Sequence, residues 1–423
     1  MFYIGIDDTD SARGMCTTYI GALLVEKLSK YSSVKPRLVR LNPNIPWKTR
    51  GNASISLEMN KRPKKVEELV LKVVKKYADL DGENTHPGIV FYEGEIPEAF
   101  SEFYSSCLHR MVELREAEDL LSKYGGDAYK FKEGRGVIGA LAAIGSRFED
   151  KTFEIIAYRK RENWGKERKV DKTSVYKMDK VTYPLTFNNV DGDRILITPH
   201  SPCPVLFGIR GENPEILRQA YDMVQAEEEI ERAVIFETNQ ATDAHLEKID
   251  HIEDIKPYSS VILRGIVSEK PRVIQGGHVI FSLSDGKSSI DCAAYEPTKE
   301  FRKIVKKLYP GDEIVVYGGV RDSGRKTINL EKIQILSLSK IFKEENPRCS
   351  CGRRMESAGR GQGFRCRRCK TTATEKERRE VRRDLEEKIY QVPPKAMRHL
   401  SKPLIRLEKH PRSSFLNSMW IPP

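Results

Sequence analysis

The sequence has no run of about 18 apolar residues, so it lacks a helix that could span a membrane. Nothing repeats at a fixed period, which excludes solenoids and propellers. No segment is low in complexity. The opening residues, Met1-Phe2-Tyr3-Ile4-Gly5-Ile6, have no basic stretch and no cleavage site, so they read as a buried strand and not as a secretion signal. Cysteine is sparse over most of the chain. Cys16, Cys107, Cys203 and Cys292 are scattered without the spacing of a disulfide framework. That pattern points to a reducing compartment and a cytoplasmic location. Most of the chain also lacks any charge excess: the first 340 residues hold 52 Lys and Arg against 51 Asp and Glu.

The excess lies at one end. The net charge is +12, and residues 341–423 hold 21 Lys and Arg against 10 Asp and Glu. A basic tail on a neutral body points to a module that binds a polyanion. With 423 residues and 39% hydrophobic composition, the chain can build several domains of about 100–200 residues, each with its own core.

Hydrophobic periodicity divides the chain into four parts. In residues 1–130, a strand at 2–6 leads to a helix from Thr17, strands follow at 36–41, 53–59 and 89–92, and helices lie at 67–77 and between 98 and 124. This is an α/β domain. Residues 131–250 show strands near 153–158, 194–198 and 233–237 with a helix at 214–224, the pattern of a small ferredoxin-like α+β sandwich. Residues 251–340 run as three strands, a helix over 297–308 and two strands, with turns at Gly276-Gly277 and Asp285-Gly286. That order is an OB-fold. Residues 341–423 hold the remaining four cysteines and a basic C-terminal extension. The fold class is multi-domain α+β.

Cys349-x-Cys351 and Cys366-x-x-Cys369 lie within 21 residues. Four thiolates at such spacings close around one tetrahedral Zn²⁺ and leave no open position, so the metal is structural. Gly352, Gly359, Gly361 and Gly363 supply the turns of a zinc ribbon. Arg353, Arg354, Arg360, Arg365, Arg367, Arg368 and Lys370 flank the cysteines and suit nucleic-acid phosphates. On the OB-fold, Phe281 and Tyr295 can stack bases, although strand aromatics more often fill the barrel core.

Asp7, Asp8 and Asp10 follow the first strand. Carboxylates this close repel unless a cation or water separates them, and Mg²⁺ is commonly held by one or two carboxylates and substrate phosphates. An acidic turn with Asp10 or Ser11 as a helix cap accounts for the same residues. Gly134-Arg135-Gly136 with Gly139 can cradle phosphate, but no clean strand precedes it, so the motif is weak.

In order, Ile4-Gly5-Ile6-Asp7-Asp8-Thr9-Asp10-Ser11, Asn84-Thr85-His86-Pro87-Gly88, the glycine segment from Gly134 to Gly145 and His200-Ser201-Pro202 occur ahead of an OB-fold and a zinc ribbon. This combination closely resembles the archaeal tRNA(Ile) 2-agmatinylcytidine synthetases over essentially the whole chain. The resemblance implies a kinase-like first domain and an ATP-dependent ligase. Its partners are ATP, agmatine and an isoleucine tRNA with a CAU anticodon. It implies that agmatine is joined to C2 of the wobble cytidine after phosphorylation of O2, that ATP ends as AMP and phosphate, and that decoding changes from AUG to AUA. It also implies that Asp7, Asp8 and Asp10 hold Mg²⁺ and that a threonine is phosphorylated, which maps to Thr18 with Thr17 adjacent. His200, Ser201, Pro202, Gly208 and Gly211 are the candidates for the agmatine pocket.

Overall fold

The computed structural model describes residues 1–322 and 324–407, and the backbone of 420–421. In the first part the order is β1 (Phe2–Asp7), α1 (Thr17–Leu28), β2 (Val34–Arg40), β3 (Ala53–Met59), α2 (Val66–Tyr77), β4 (Gly88–Glu93), α3 (Glu98–His109), α4 (Leu114–Tyr124), β5 (Asp127–Lys130) and α5 (Gly136–Gly145). β1 is apolar on both faces because it is central, with antiparallel partners β3 and β4. Ile4, Leu24, Ile55 and Val70 pack together where α1 and α2 cover one face. Val90, Phe100 and Ala140 pack beneath α3 and α5 on the other.

Glycine brings α5 onto the strands. A β-carbon on Gly5 would lie 2.1 Å from the Ala140 carbonyl oxygen, and one on Gly88 would lie 1.9 Å from Val137 N. The segment near the start of residues 131–250 is therefore a helix that lies on the first part of the sheet.

The second part contains β6 (Thr152–Arg159), α6 (Lys172–Thr182), β7 (Thr186–Phe187), β8 (Val190–Asp191), β9 (Arg194–Ile195), β10 (Val205–Gly211), α7 (Pro214–Met223) and β11 (Ile230–Thr238). Its sheet order is β11-β6-β10-β7, with α6 and α7 as crossovers, which is the ferredoxin-like βαββαβ arrangement. Periodicity does not reveal α6. Its signal is the cap: Asp171 accepts hydrogen bonds from the Thr173 and Ser174 amides. β11 pairs in parallel with β2, so the first two parts share one ten-stranded sheet.

The third part contains β12 (Glu247–Ile249), β13 (Ser260–Val267), β14 (Arg272–Val273), β15 (Val279–Ser284), β16 (Ser289–Ala294), α8 (Glu300–Val305), β17 (Glu313–Asp322) and β18 (Lys326–Ser337). The β13–β15 and β16–β18 pairings close it into the OB barrel. Phe281 is fully buried in the barrel core, so it offers no face to a base, and the stacking expectation for it is corrected. Tyr295 is half-buried, edge-on to His278 at 5.0 Å.

β19 (Ile341–Glu345) then leads to β20 (Glu356–Ser357), β21 (Phe364–Arg365), β22 (Thr372–Ala373) and β23 (Glu377–Val381), and β19 pairs with β23. The chain does not trail away after this module. It returns as a strap: β24 (Ile389–Gln391) joins the edge of β18, Ser401 hydrogen-bonds Glu331, and Arg406 pairs with Asp150 at 3.0 Å. The rest of the expected basic extension lies outside the described residues, apart from β25 (Trp420–Ile421), which pairs with β11.

Candidate active site and zinc ribbon

A cavity of about 320 Å³ opens between the first two parts of the shared sheet, lined by Asp7, Asp8, Asp10, Thr17, Thr18 and Arg50 among others. The strand end that carries the aspartates turns sharply. Asp8 takes a left-handed backbone (φ 58°), which aspartate tolerates better than most residues. The three carboxylates have different partners. Asp8 pairs with Arg135 at 2.9 Å and accepts the His86 amide at 3.2 Å. Asp10 pairs with Arg50 at 2.6 Å. Asp7 has no cationic partner among the described residues. Burial first, then Asp8, pushes its carboxyl up to about 8. Three carboxylates gripping one ion is thus not the arrangement seen. Asp7 is the member left for a cation.

Gly136 and Gly139 line this cavity, but they make room for the motif more than they form a cradle. A β-carbon on Gly139 would lie 1.8 Å from Asp7 Oδ2, and one on Gly136 would lie 2.6 Å from the Asp7 carbonyl. Gly134 lies outside the cavity lining, beneath the Lys130 side chain. Arg135 is at the cavity with its guanidinium 5.9 Å from the centre of the Trp47 ring. Thr17 and Thr18 form the first turn of α1. The Thr17 hydroxyl accepts from Thr9 at 3.0 Å, and the Thr18 hydroxyl lies 3.0 Å from Cys16 Sγ. Of the agmatine candidates, Ser201 and Gly208 line the cavity. His200 and Pro202 are loop residues outside its lining, and Gly211 is buried where β10 meets β7.

Arg50 holds the two halves together. It donates to Asp10, to the Ser11, Gly14 and Met15 carbonyls and, across the cavity, to the Ser201 hydroxyl at 3.1 Å. Arg40, Glu154, Arg210 and His399 line the same cavity. None of these five belongs to a motif of the sequence. Glu154 carries a signal all the same, because an acid inside the buried strand Phe153–Tyr158 is costly unless paired. It accepts from Arg210 at 3.3 Å and from Gln240 at 2.5 Å.

At the other end of the chain, the Sγ atoms of Cys349, Cys351, Cys366 and Cys369 lie within 4.8 Å of one another, which fits one tetrahedral zinc. The short first pair is workable because Gly352 turns with φ 83° and its amide reaches the Cys349 carbonyl at 2.8 Å. The ribbon's own apolar core is only Cys349, Met355 and Cys366 with a few partly buried neighbours. So small a core needs the metal to stay folded. Arg353, Arg365, Arg368 and Lys370 are exposed and make no ion pair among the described residues. Arg354 and Arg367 are partly neutralised by Glu345 (2.5 Å) and Glu356 (2.7 Å).

Family models described as the TiaS TCKD domain, the TiaS FLD domain, an OB-fold nucleic acid binding domain and the TiaS C-terminal zinc ribbon domain match residues 3–133, 134–245, 261–336 and 346–385. The 2-agmatinylcytidine synthetase TiaS of Methanosarcina mazei, which is named for an isoleucine tRNA, is 47% identical over 421 residues, covering 96% of this chain and 97% of the relative. The same synthetase from Archaeoglobus fulgidus is also 47% identical over 421 residues, covering 98% and 99%. This chain belongs to the tRNA(Ile) 2-agmatinylcytidine synthetase family. Among solved structures, apo TiaS superposes with a TM-score of 0.90 at 46% identity, covering 98% of this chain and all of the other. A complex of TiaS with its isoleucine tRNA, AMPCPP and agmatine superposes at 0.86 with 43% identity, covering 97% and 99%. Within this synthetase family the chain keeps the full set of parts: the shared sheet with its charged cavity, the OB barrel and the four-cysteine ribbon.

Proposed function

We propose that this chain attaches agmatine to C2 of the wobble cytidine of an isoleucine tRNA with a CAU anticodon, using ATP and passing through a phosphate ester on O2. The observation that supports this reading most is the cavity itself. It brings Asp7, Thr18 and a set of arginines together in a chain whose relatives have been solved with an isoleucine tRNA, an ATP analogue and agmatine.

C2 of cytosine lies between two nitrogens and bears a urea-like oxygen, so it is a poor electrophile. Phosphorylation turns that oxygen into a leaving group. The agmatine amine, once deprotonated, adds to C2. The C2–O bond breaks, and phosphate departs with its electron pair. Each ATP gives up two phosphoryl groups, one to the cytidine O2 and one to Thr18, so it ends as AMP and two phosphates, the second freed when water hydrolyses the Thr18 ester. The product base pairs with A in place of G, so AUA is read instead of AUG.

Phosphoryl transfer asks mainly for positioning and charge neutralisation. Asp7, with Asp8 or Asp10 beside it, fits Mg²⁺, because its buried carboxylate has no counter-charge of its own. That ion would neutralise the triphosphate. Arg50 orders the aspartate loop, Arg135 stands at the same cavity, and Thr18 is the phosphoryl acceptor of the first turn of α1. The wobble base leaves the anticodon stack to reach this depth, as chemistry on bases requires, while the basic ribbon grips phosphates of the tRNA. The test is mass spectrometry of wobble nucleosides after incubating the protein with transcript tRNA, ATP and agmatine. A cytidine without added agmatine mass would refute the reading.

A further inference from the structure

The strap that leaves the ribbon carries one side chain back into the cavity. Around it the chain is pinned by Ser401 to Glu331, by the Lys402 amide to Asp243 at 2.7 Å, and by Arg406 to Asp150. Held there, His399 lines the cavity on the side of the second domain. Its Nδ1 lies 2.7 Å from Arg210 Nη2. A guanidinium only donates, so Nδ1 accepts and the ring proton sits on Nε2. Burial, then Arg40 and Arg210, holds the ring well below the usual histidine range, so it is neutral. Among the described residues Nε2 has no hydrogen-bond partner. A β-carbon on Gly51 would lie 3.0 Å from Nε2 and 2.4 Å from Arg40 Nη1, so ring edge and guanidinium meet over a residue with no side chain.

The wall beside His399 has a shape as well as a charge. Glu154 and Ile156 share one face of β6. Opposite them on β10 stand Arg210 and Gly208, in register. With no side chain on Gly208, where a β-carbon would lie 3.1 Å from Glu154 Oε1, the wall keeps a slot beside Glu154 that suits a flat ring. The edge of the slot offers donors. Both oxygens of Glu154 are already taken, by Arg210 and Gln240. Agmatine, an ammonium joined to a guanidinium, has no acceptor to present to such an edge. ATP phosphates are acceptors but not flat, and the adenine of ATP is flat but offers isolated ring nitrogens and no two adjacent acceptors. Cytosine is flat and presents two adjacent acceptors, O2 and N3. Uracil carries a proton on N3 and would clash with a donor there.

We infer that His399 donates its Nε2–H to N3 of the wobble cytosine and so helps to select cytosine over uracil. This rests on the base-modifying reading above, but it is tested first by binding, without turnover. Full-length protein labelled with ¹⁵N-histidine is titrated, and His399→Gln identifies the signal. The expected result is an Nε2–H tautomer whose ring signals shift with CAU tRNA transcript, and do not shift with ATP alone or with the same transcript abasic at the wobble position. Equal shifts with the abasic transcript, a shift with ATP alone, or no shift at all would each overturn the assignment. If binding behaves as expected but no agmatine is transferred, the reaction assignment fails and the base contact stands. In turnover, His399→Gln should lower kcat/KM for tRNA by less than His399→Ala, which should lose about tenfold. Neither should change KM for agmatine, and a raised agmatine KM would instead place His399 at the amine.

Discussion

The ribbon draws its four sulfurs from 21 consecutive residues, whereas the cavity draws Asp7, Arg50, Glu154, Arg210 and His399 from nearly the whole length of the chain. The ribbon is exposed and basic, and a metal holds it. The cavity is sheltered and mixed in charge, and two domains hold it through a shared sheet. A local device can be exchanged or deleted as a unit. A composite one fails through any of its distant contributors. The strap blurs this division, because the chain that leaves the ribbon goes on to complete the cavity wall.

The strongest way to separate the two regions is Asp7→Asn. Asparagine resembles the protonated carboxyl that burial already favours, so the fold should survive. ATP consumption should fall by roughly a hundredfold or more, as for loss of a metal-holding group. Filter-binding affinity for tRNA should stay within a few-fold. Comparable losses in both would mean that cavity and ribbon are not separable.

The converse experiment removes the ribbon and keeps the strap. Glu345 and Glu377 face each other across β19 and β23, so a two-residue turn can replace residues 346–376. Those residues hold nine Lys and Arg against two acids. The plot of log affinity against log salt should flatten by about 0.7–0.9 for each tRNA phosphate that the ribbon had neutralised. Parallel lines for the wild type and the deletion would show that the arginines only solvate a surface. Ending the chain near Ser339 is a poorer test, since it also removes His399, Ser401 and Arg406. Cys366→Ser should reach a similar result by a different route. Metal analysis should fall from one zinc per chain to none, and the salt slope should approach that of the deletion.

Arg50→Lys is subtler. The charge stays, but the fork that serves Asp10, three carbonyls and Ser201 is lost. A rise of about tenfold in KM for ATP, with tRNA affinity intact, would be the signature of a loosened cavity. An unchanged KM would show that the aspartate loop orders itself.

The smallest effect is thermal. The Asp7 carboxyl is raised to about 8 in the folded protein, against about 3.9 unfolded. Between those values the folded state holds the extra proton, so without metal its stability should fall as pH rises through this window and level off above it. A cation competes with that proton. Mg²⁺ should therefore raise Tm more at pH 8 than at pH 6, and Asp7→Asn should abolish both trends.

Much of this molecule was legible before folding because it is encoded locally. The strand at 2–6, the strand at 53–59 and the OB order are periodic. The ribbon is a spacing pattern, since short-range geometry alone decides whether four thiolates can share one ion. Phe281 shows the limit: alternation puts it on a strand, but only barrel closure decides which face is inside. Gly139 shows another, because its meaning is the Asp7 carboxylate that occupies the place of its missing side chain. Sequence by itself determined the modules, their order, the acidic strand end and the basic metal-pinned tail. Tertiary structure alone decided that the first two modules share one sheet, that Asp8 and Asp10 are bound by arginines while Asp7 is not, and that His399 belongs to the cavity. Those outcomes depend on contacts between distant segments, and charge pairing and close packing at such range leave no period in the chain to read.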